Sequence, residues 1–375
     1  MRLRTWIFWS IMLGGLLLPY APGHHTATEA SLEERIGQML MVGFRGTSVD
    51  SDSSIVQTLR DINLGGVVLF DFDVPSQSFP RNIVSPDQTR HLIQALQATA
   101  STPLLVAVDA EGGRINRLKS KYGFIDIPSA QALGRTDVAE CRIVYLKLAE
   151  QLIGLGFNLN LAPVVDLNLN PANPVIGSLE RSFGPDPEGV IARAAAFIDA
   201  HRSRGVITAL KHFPGHGSSR GDSHSGLVDV TDSYQERELQ PFLELIRAGA
   251  ADMIMTAHVV NRRIEYRHPA TLSSAFLDSL LRKRLGFEGV IISDDLQMGA
   301  IGRNYGFEQA LILAVNAGCD ILAIANNGDR YDEQAAHKAH RILVRAVERG
   351  EIPRSRIDAS YLRIVRLKRR YGIIR

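Results

Sequence analysis

The sequence predicts an α/β chain folded as a closed (β/α)8 TIM-type barrel. Three observations carry this: eight Val- and Ile-rich apolar runs recur along the chain, amphipathic segments lie between them, and charged or imidazole residues end most of the runs. The runs occupy 38–44, 65–70, 103–109, 157–166, 206–211, 252–258, 289–294 and 319–325. Their apolar character is continuous instead of alternating, as expected of parallel strands covered on both faces. Helices are predicted over 86–99, 136–154, 187–203, 234–248 and 306–317, with Ser85 before Pro86 as an N-cap signal. Two more, 331–349 and 356–371, follow the last run. An open doubly wound sheet shares the alternation but has no need of this count. The 375 residues suit one such domain with extensions. The expected organisation is a leader or N-terminal anchor over 1–30, then a single catalytic barrel with C-terminal helices over 31–375.

Arg2 and Arg4 precede an apolar run from Trp6 to Leu18 that Pro19 and Gly23 break, which is the pattern of a signal peptide. The run is shorter than the ~20 residues that span a bilayer. The chain is therefore expected to be secreted or periplasmic, with tethering through an uncleaved signal as the variant, and with no stable membrane span once the leader is removed. No cysteine follows the run to carry a lipid. A net charge of +2 and 45% hydrophobic content describe an ordinary globular protein. The densest basic stretch, Arg363, Arg366, Lys368, Arg369 and Arg370, has helical spacing and no aromatic platform. It reads as a solvated helix face, so no nucleic-acid partner is expected. Cys141 and Cys319 have neither a CxxC partner nor a neighbouring histidine, and read as buried thiols with a disulfide between them left open. The sequence offers no cofactor motif, and a monomer is expected.

Catalytic groups in such barrels gather at the carboxyl ends of the strands, where the loops form one face. Here Asp109 ends the third run, Asp166 the fourth, Lys211 and His212 the fifth, His258 the sixth, and Asp294 with Asp295 the seventh. Each alone reads equally well as a cap or an ion-pair partner; their convergence on one face points to a site. The segment 211–226, KHFPGHGSSRGDSHSG, is a Gly- and Ser-rich loop carrying His212, His216, Asp222 and His224. Side chains alternate along a strand, so only one of Asp294 and Asp295 is expected to face the barrel mouth, the other capping a helix or bonding a neighbouring loop. Asp166, His216 and His258 are read evenly as structural or substrate-facing. Glu111 is expected to pair with Arg114 or a strand end, and Arg114 and Arg117 to be structural.

These residues resemble glycoside hydrolase family 3, in particular its single-domain bacterial β-N-acetylhexosaminidases. The resemblance covers about 31–375 and rests on DAEGGRINRL (109–118), NLAPVVDL (160–167), NPVIG and ERSFG (173–184), KHFPGHG (211–217), DSH (222–224), TAH (256–258) and SDDLQMGA (293–300). It implies Asp294 as nucleophile, His224 as acid/base oriented by Asp222, and Asp109, Arg181, Lys211 and His212 as the residues that hold sugar hydroxyls. It further implies terminal β-linked N-acetylglucosamine as substrate, from chito-oligosaccharides or peptidoglycan fragments. Ala110 stands where relatives often carry Gln, residues 178 and 179 lengthen the NPVIG-to-ERSFG spacing, and Val228 replaces a frequent proline. A carboxylate attacking an anomeric carbon needs a proton donor for the leaving oxygen. A two-step reaction with retention is therefore expected, the histidine replacing the second carboxyl of most retaining enzymes.

Three other readings stay open. A β-glucosidase or a phosphorolytic variant keeps the same residues. A metal-dependent barrel hydrolase would group His212, His258 and Asp294 around a cation, but the first run lacks the HxH such sites draw on, so no metal is expected. A non-catalytic sugar-binding protein would keep Asp109, Lys211 and His212 without requiring Asp294 or His224.

Overall fold

The eight apolar runs form eight parallel strands: Leu40–Gly43, Gly66–Val68, Leu105–Val108, Leu159–Asn160, Ile207–Phe213, Met253–Thr256, Val290–Ile292 and Leu322–Ile324. In this computed structural model, which describes residues 30–223 and 226–375, each strand pairs with its sequence neighbour, as in Val67↔Val106 and Ile254↔Ile291. The first strand pairs with the eighth through Met41↔Ala323, and a parallel bridge Ile292↔Ile321 joins the seventh to the eighth. The ring is thus closed, and every residue of the eight strands is buried. Burial inside by barrel side chains and outside by helices is why the runs are apolar without alternation. The expected leader and His224 lie outside the described residues.

Helices fill the connections as the caps dictate. Ser85 accepts from Gln88 N (3.3 Å) ahead of Pro86–Thr99, and Asp137 accepts from Glu140 N (2.7 Å) ahead of Val138–Leu155. Asp186 does the same for Pro187–Arg202 through Gly189 N (2.8 Å). Ser31 and Glu34 form a reciprocal capping box at the start of Leu32–Gln38. Ser54–Asp61, Ala275–Arg284 and Gly299–Tyr305 are helical segments that the apolar periodicity did not single out. No helix among the described residues is long and apolar enough to cross a membrane.

The C-terminal helix Arg354–Arg370 corrects the expectation of a solvated basic face in part: Arg366 and Arg369 are exposed, whereas Arg363, Lys368 and Arg370 find partners at the base of the barrel. Asp320, fully buried at the start of the eighth strand, takes Arg282 (2.5 Å), Arg356 (2.9 Å) and Arg363 (3.1 Å). Asp252, at the start of the sixth, takes Arg202 (2.8 Å) and Arg370 (2.5 Å). Lys368 is buried and donates to Gln38 Oε1 (2.7 Å), Gly65 O (3.1 Å) and Pro103 O (2.7 Å). Arg356, Arg363, Lys368 and Arg370 therefore clasp the amino-terminal end of the barrel. Cys141 and Cys319 are both buried and free, which answers the pairing left open by the sequence.

Candidate active site

At the carboxyl ends of the strands lies a cavity of about 290 Å³, whose lining includes Asp109, Arg117, Arg181, Lys211, His212, Asp294 and Asp295. Its lining is mixed. Asp109, Arg117, Arg181, Lys211 and His212 come from the third, fourth and fifth strands and their loops and Asp294 and Asp295 from the loop after the seventh, with Ile115, Leu161, Leu179, Met255 and Met298 among them, while Met41, Val68, Phe70, Phe72, Val74, Ala323 and Ala325 come from the first, second and eighth. A larger groove of about 820 Å³ runs along the outer wall past Leu239, Leu243 and Leu280, and Glu236 is the sole acid among its described lining residues. Volume does not locate the chemistry here; the convergence of titratable groups does.

The charged groups of the third to fifth strands form one continuous lattice. Lys211 Nζ lies 2.9 Å from Asp109 Oδ1 and 2.6 Å from Glu111 Oε1. Glu111 also accepts both Nε and Nη2 of Arg181 (2.8 Å each), a fork-to-fork pair. Burial opposes ionisation of Glu111, but the Arg181 and Lys211 cations outweigh it and hold the carboxyl at about 2. Glu111 is thus a permanent anion beneath the cavity, paired with Arg181 and Lys211 and not with Arg114, which is exposed. Burial would lower the Lys211 pKa, yet the Asp109 and Glu111 carboxylates raise it. Lys211 stays charged.

Arg181 Nη2 also reaches His212 Nε2 (3.2 Å), and Asp166 Oδ2 lies 2.7 Å from His212 Nδ1. A guanidinium only donates, so Nε2 accepts and Nδ1 carries the proton toward Asp166. Asp166 is buried, accepts the backbone N–H of His212 and of His216 (2.8 Å to the latter), and is absent from the cavity lining. Burial pushes its pKa up, but the His212 interaction more than offsets this and lowers it. Of the two readings of Asp166, the structural one holds. Gly217 explains the close approach of this turn: a Cβ there would sit 1.7 Å from Leu167 O.

The seventh strand stops at Ile292, so Asp294 and Asp295 belong to the following loop and alternation no longer separates them. Both line the cavity, and the Asp295 carboxylate bonds a neighbouring loop, as the sequence reading expected of one of the two. Their bonding still divides their tasks. Asp295 Oδ1 accepts from Gln297 N (3.1 Å) and Ala325 N (3.0 Å), tying the loop to the eighth strand. Asp294 N donates to Thr256 Oγ1 (3.2 Å), which meets Thr271 Oγ1 (2.8 Å), which meets His258 Nδ1 (2.8 Å); His258 Nε2 lies 2.9 Å from Asp295 O. His258 is fully buried and holds this loop from below. Thr256, to which the sequence reading gave no role, is the first link.

Of the residues expected to act, the structure gathers Asp109, Arg181, Lys211, His212 and Asp294 around one cavity. It adds Arg117, read from the sequence as structural, which lines the cavity and lies 3.8 Å from Asp109. Asp222 is half-buried on its loop and outside the lining, and His224 is outside the described residues. Phe72 and Val74 are presented by a lip held through Asn327, which accepts from Val74 N (2.9 Å) and donates to Phe72 O (3.1 Å). Asp73 in that lip takes Arg45 (2.7 Å) and Arg81. Among the described residues no group of three or more His, Cys, Asp or Glu is arranged to hold a metal.

A family model described as the glycosyl hydrolase family 3 N-terminal domain matches residues 31–367. The chain belongs to glycosyl hydrolase family 3. Family 3 relatives include a beta-hexosaminidase of Tolumonas auensis, 39% identical over 297 residues that cover 77% of this chain and 83% of the relative. Beta-hexosaminidase A of Pseudoalteromonas piscicida is 33% identical over 390 residues, 92% of this chain and 62% of the relative. Among solved structures, a family 3 beta-N-acetylglucosaminidase from Paenibacillus sp. FPU-7 superposes with a TM-score of 0.84 at 34% identity, covering 92% of this chain and 63% of that one. The beta-N-acetylhexosaminidase of Beutenbergia cavernae gives 0.79 at 30% identity, covering 91% of this chain and 99% of that one. The family 3 chain thus spans somewhat under two thirds of the Pseudoalteromonas and Paenibacillus proteins and almost the whole of the Beutenbergia one.

Proposed function

We propose that this family 3 chain is an exported, monomeric, retaining β-N-acetylhexosaminidase that removes terminal β-linked N-acetylglucosamine from chito-oligosaccharides or peptidoglycan fragments, residues 1–30 serving as its signal or anchor. Asp294 is the nucleophile and His224, oriented by Asp222, the acid/base. In the first step the Asp294 carboxylate attacks the anomeric carbon while protonated His224 gives its proton to the leaving oxygen. In the second, neutral His224 takes a proton from water, which cleaves the glycosyl ester.

The observation that carries this reading is the mixed lining of the cavity: Asp294 shares it with Asp109, Arg117 and Lys211, which suit a sugar's hydroxyls, and with Phe72, Val74 and their neighbours, which offer an apolar surface to a C2 substituent. An acetamido methyl suits that surface better than a hydroxyl. The beta-hexosaminidase names of the relatives point the same way.

The test is turnover of an aryl N-acetyl-β-glucosaminide beside the aryl β-glucoside, with Asp294→Asn as control. Selective turnover of the acetamido substrate, reduced about a thousandfold or more in the variant, is expected. Preference for the glucoside would keep the mechanism and replace the substrate. Silence on both, with binding retained, would favour a sugar-binding protein.

A further inference from the structure

Phe79 is the one exposed phenylalanine among the described residues, at 41% exposure. Its ring lies on that of the half-buried Tyr122, the centroids 4.4 Å apart and the planes 11° from parallel. A large ring left in water beside a site is more informative than one scattered elsewhere on the surface.

The backbone fixes where this pair stands. Asp73 and Ser78 exchange both backbone hydrogen bonds (2.8 and 3.2 Å), and Arg81 N donates to Asp71 O (2.9 Å), so Phe79 and Pro80 together lie opposite Phe72 on the returning half of the lip. Phe72 lines the cavity, and Val74 lines it while remaining 41% exposed, which puts Val74 at the mouth. Tyr122 ends the short turn Ser120–Tyr122, which follows Arg117, another lining residue. Between them in sequence, Lys119 Nζ lies 2.5 Å from Asp71 Oδ2 at the root of the lip. The stack thus ties together two loops that both contribute to the cavity, directly outside its lining. The lip is braced as well, since Asp73 takes Arg45 and Arg81 and the Arg45 guanidinium lies 4.2 Å from the centre of the Tyr331 ring. A surface fixed in advance loses little freedom when it binds.

A cavity of about 290 Å³ is small for a ligand pocket and suits a single sugar. The residue to which a terminal N-acetylglucosamine is linked must then stand at the mouth. In a β-linked N-acetylglucosamine the ring substituents are equatorial, so both faces of the pyranose present C–H bonds. Those hydrogens carry slight positive charge and complement the negative face of an aromatic ring. We propose that Phe79, backed by Tyr122, is the platform for the second sugar of the substrate, the one released as leaving group, and gives the enzyme a preference for oligosaccharides over simple glycosides. This rests on the glycosidase reading given above, with the terminal sugar in the cavity.

The experiment compares kcat/KM for N,N'-diacetylchitobiose with that for N-acetyl-β-glucosaminyl fluoride, whose leaving group is too small to reach the platform. The full chain is set beside Phe79→Ala, Tyr122→Ala and Phe79→Trp. Phe79→Ala and Tyr122→Ala are expected to lose about fivefold or more on the disaccharide, chiefly through KM, and less than about twofold on the fluoride, the scale of one aromatic contact made before and during reaction. Phe79→Trp, which keeps a ring, retains the wild-type ratio. Losses in equal proportion on both substrates, as a partly unfolded enzyme gives, overturn the inference, and so does an unchanged disaccharide, which would leave the ring pair to some other partner. Calorimetric binding in an Asp294→Asn background separates this inference from the reading beneath it. There Phe79→Ala is expected to weaken N,N'-diacetylchitobiose about fivefold and to leave N-acetylglucosamine unchanged. If the wild type cleaves neither substrate while that difference in binding holds, the glycosidase reading alone falls. If both are cleaved and the difference is absent, the platform alone falls.

Discussion

Glu111 is the residue on which the charged lattice of the cavity depends. It is the shared counter-ion of Arg181 and Lys211 in a place with little water, so removing its charge takes from Arg181 its bidentate partner and leaves Lys211 to Asp109 alone. Glu111→Gln is expected to cost about 3–5 kcal/mol of stability, the range for breaking a buried ion pair, measured by urea unfolding, and to raise KM as Lys211 and Arg181 shift. Its carboxyl titrates near 2 in the folded chain against an ordinary value of 4.5. Its contribution is therefore complete above pH about 4.5 and is lost as pH falls through about 2. Between those limits the variant's stability should vary less with pH than that of the wild type. Asp109, Lys211, His212 and Asp294 were legible in the sequence because they end successive apolar runs and so converge on one face, although any one alone, like Asp166 and His258, could have served the structure. Glu111, Arg117 and Thr256 were not: what each faces is decided by loops from other strands, about which their own neighbours in sequence say nothing.

At the level of elements, the strands and the longer helices were readable because burial on both faces and N-caps leave local marks, as at Ser85. The end of the seventh strand was not. An apolar run shows where a strand passes through the core but not where pairing stops, and the two residues between Ile292 and Asp295 decide whether alternation applies. The C-terminal helix misled for a related reason: its spacing is that of an exposed basic face, and the buried acids that answer it, Asp252 and Asp320, lie far away in sequence. Lys368 makes this measurable. Burial lowers its pKa from 10.5 to about 7, so between those values the unfolded chain binds the extra proton. Stability from this group is complete above pH about 10.5 and declines as pH falls through about 7. Lys368→Met is expected to flatten that part of the stability profile, as followed by thermal unfolding at successive pH values.

For the molecule as a whole, the closed ring brings groups from the third to the seventh strand to a single face, and the histidines there are already engaged. His212 is held between Asp166 and Arg181, and His258 between Thr271 and the Asp295 carbonyl. Turnover is therefore expected to survive exhaustive dialysis against a chelator; loss of activity restored by a divalent ion would revive the metal-dependent reading. The ionic lattice that runs from Asp109 through Lys211, Glu111, Arg181 and His212 to Asp166 has a further consequence. Its members are oriented by one another before any sugar enters, so the cavity behaves as a solvent whose dipoles are already turned toward the solute. Water around the same sugar would have to rotate to follow the charge that develops as the glycosidic bond breaks, whereas this lattice has little left to rearrange. Because it is largely buried, dissolved ions screen it far less than they screen surface pairs, so the medium the cavity offers should change little with the salinity outside.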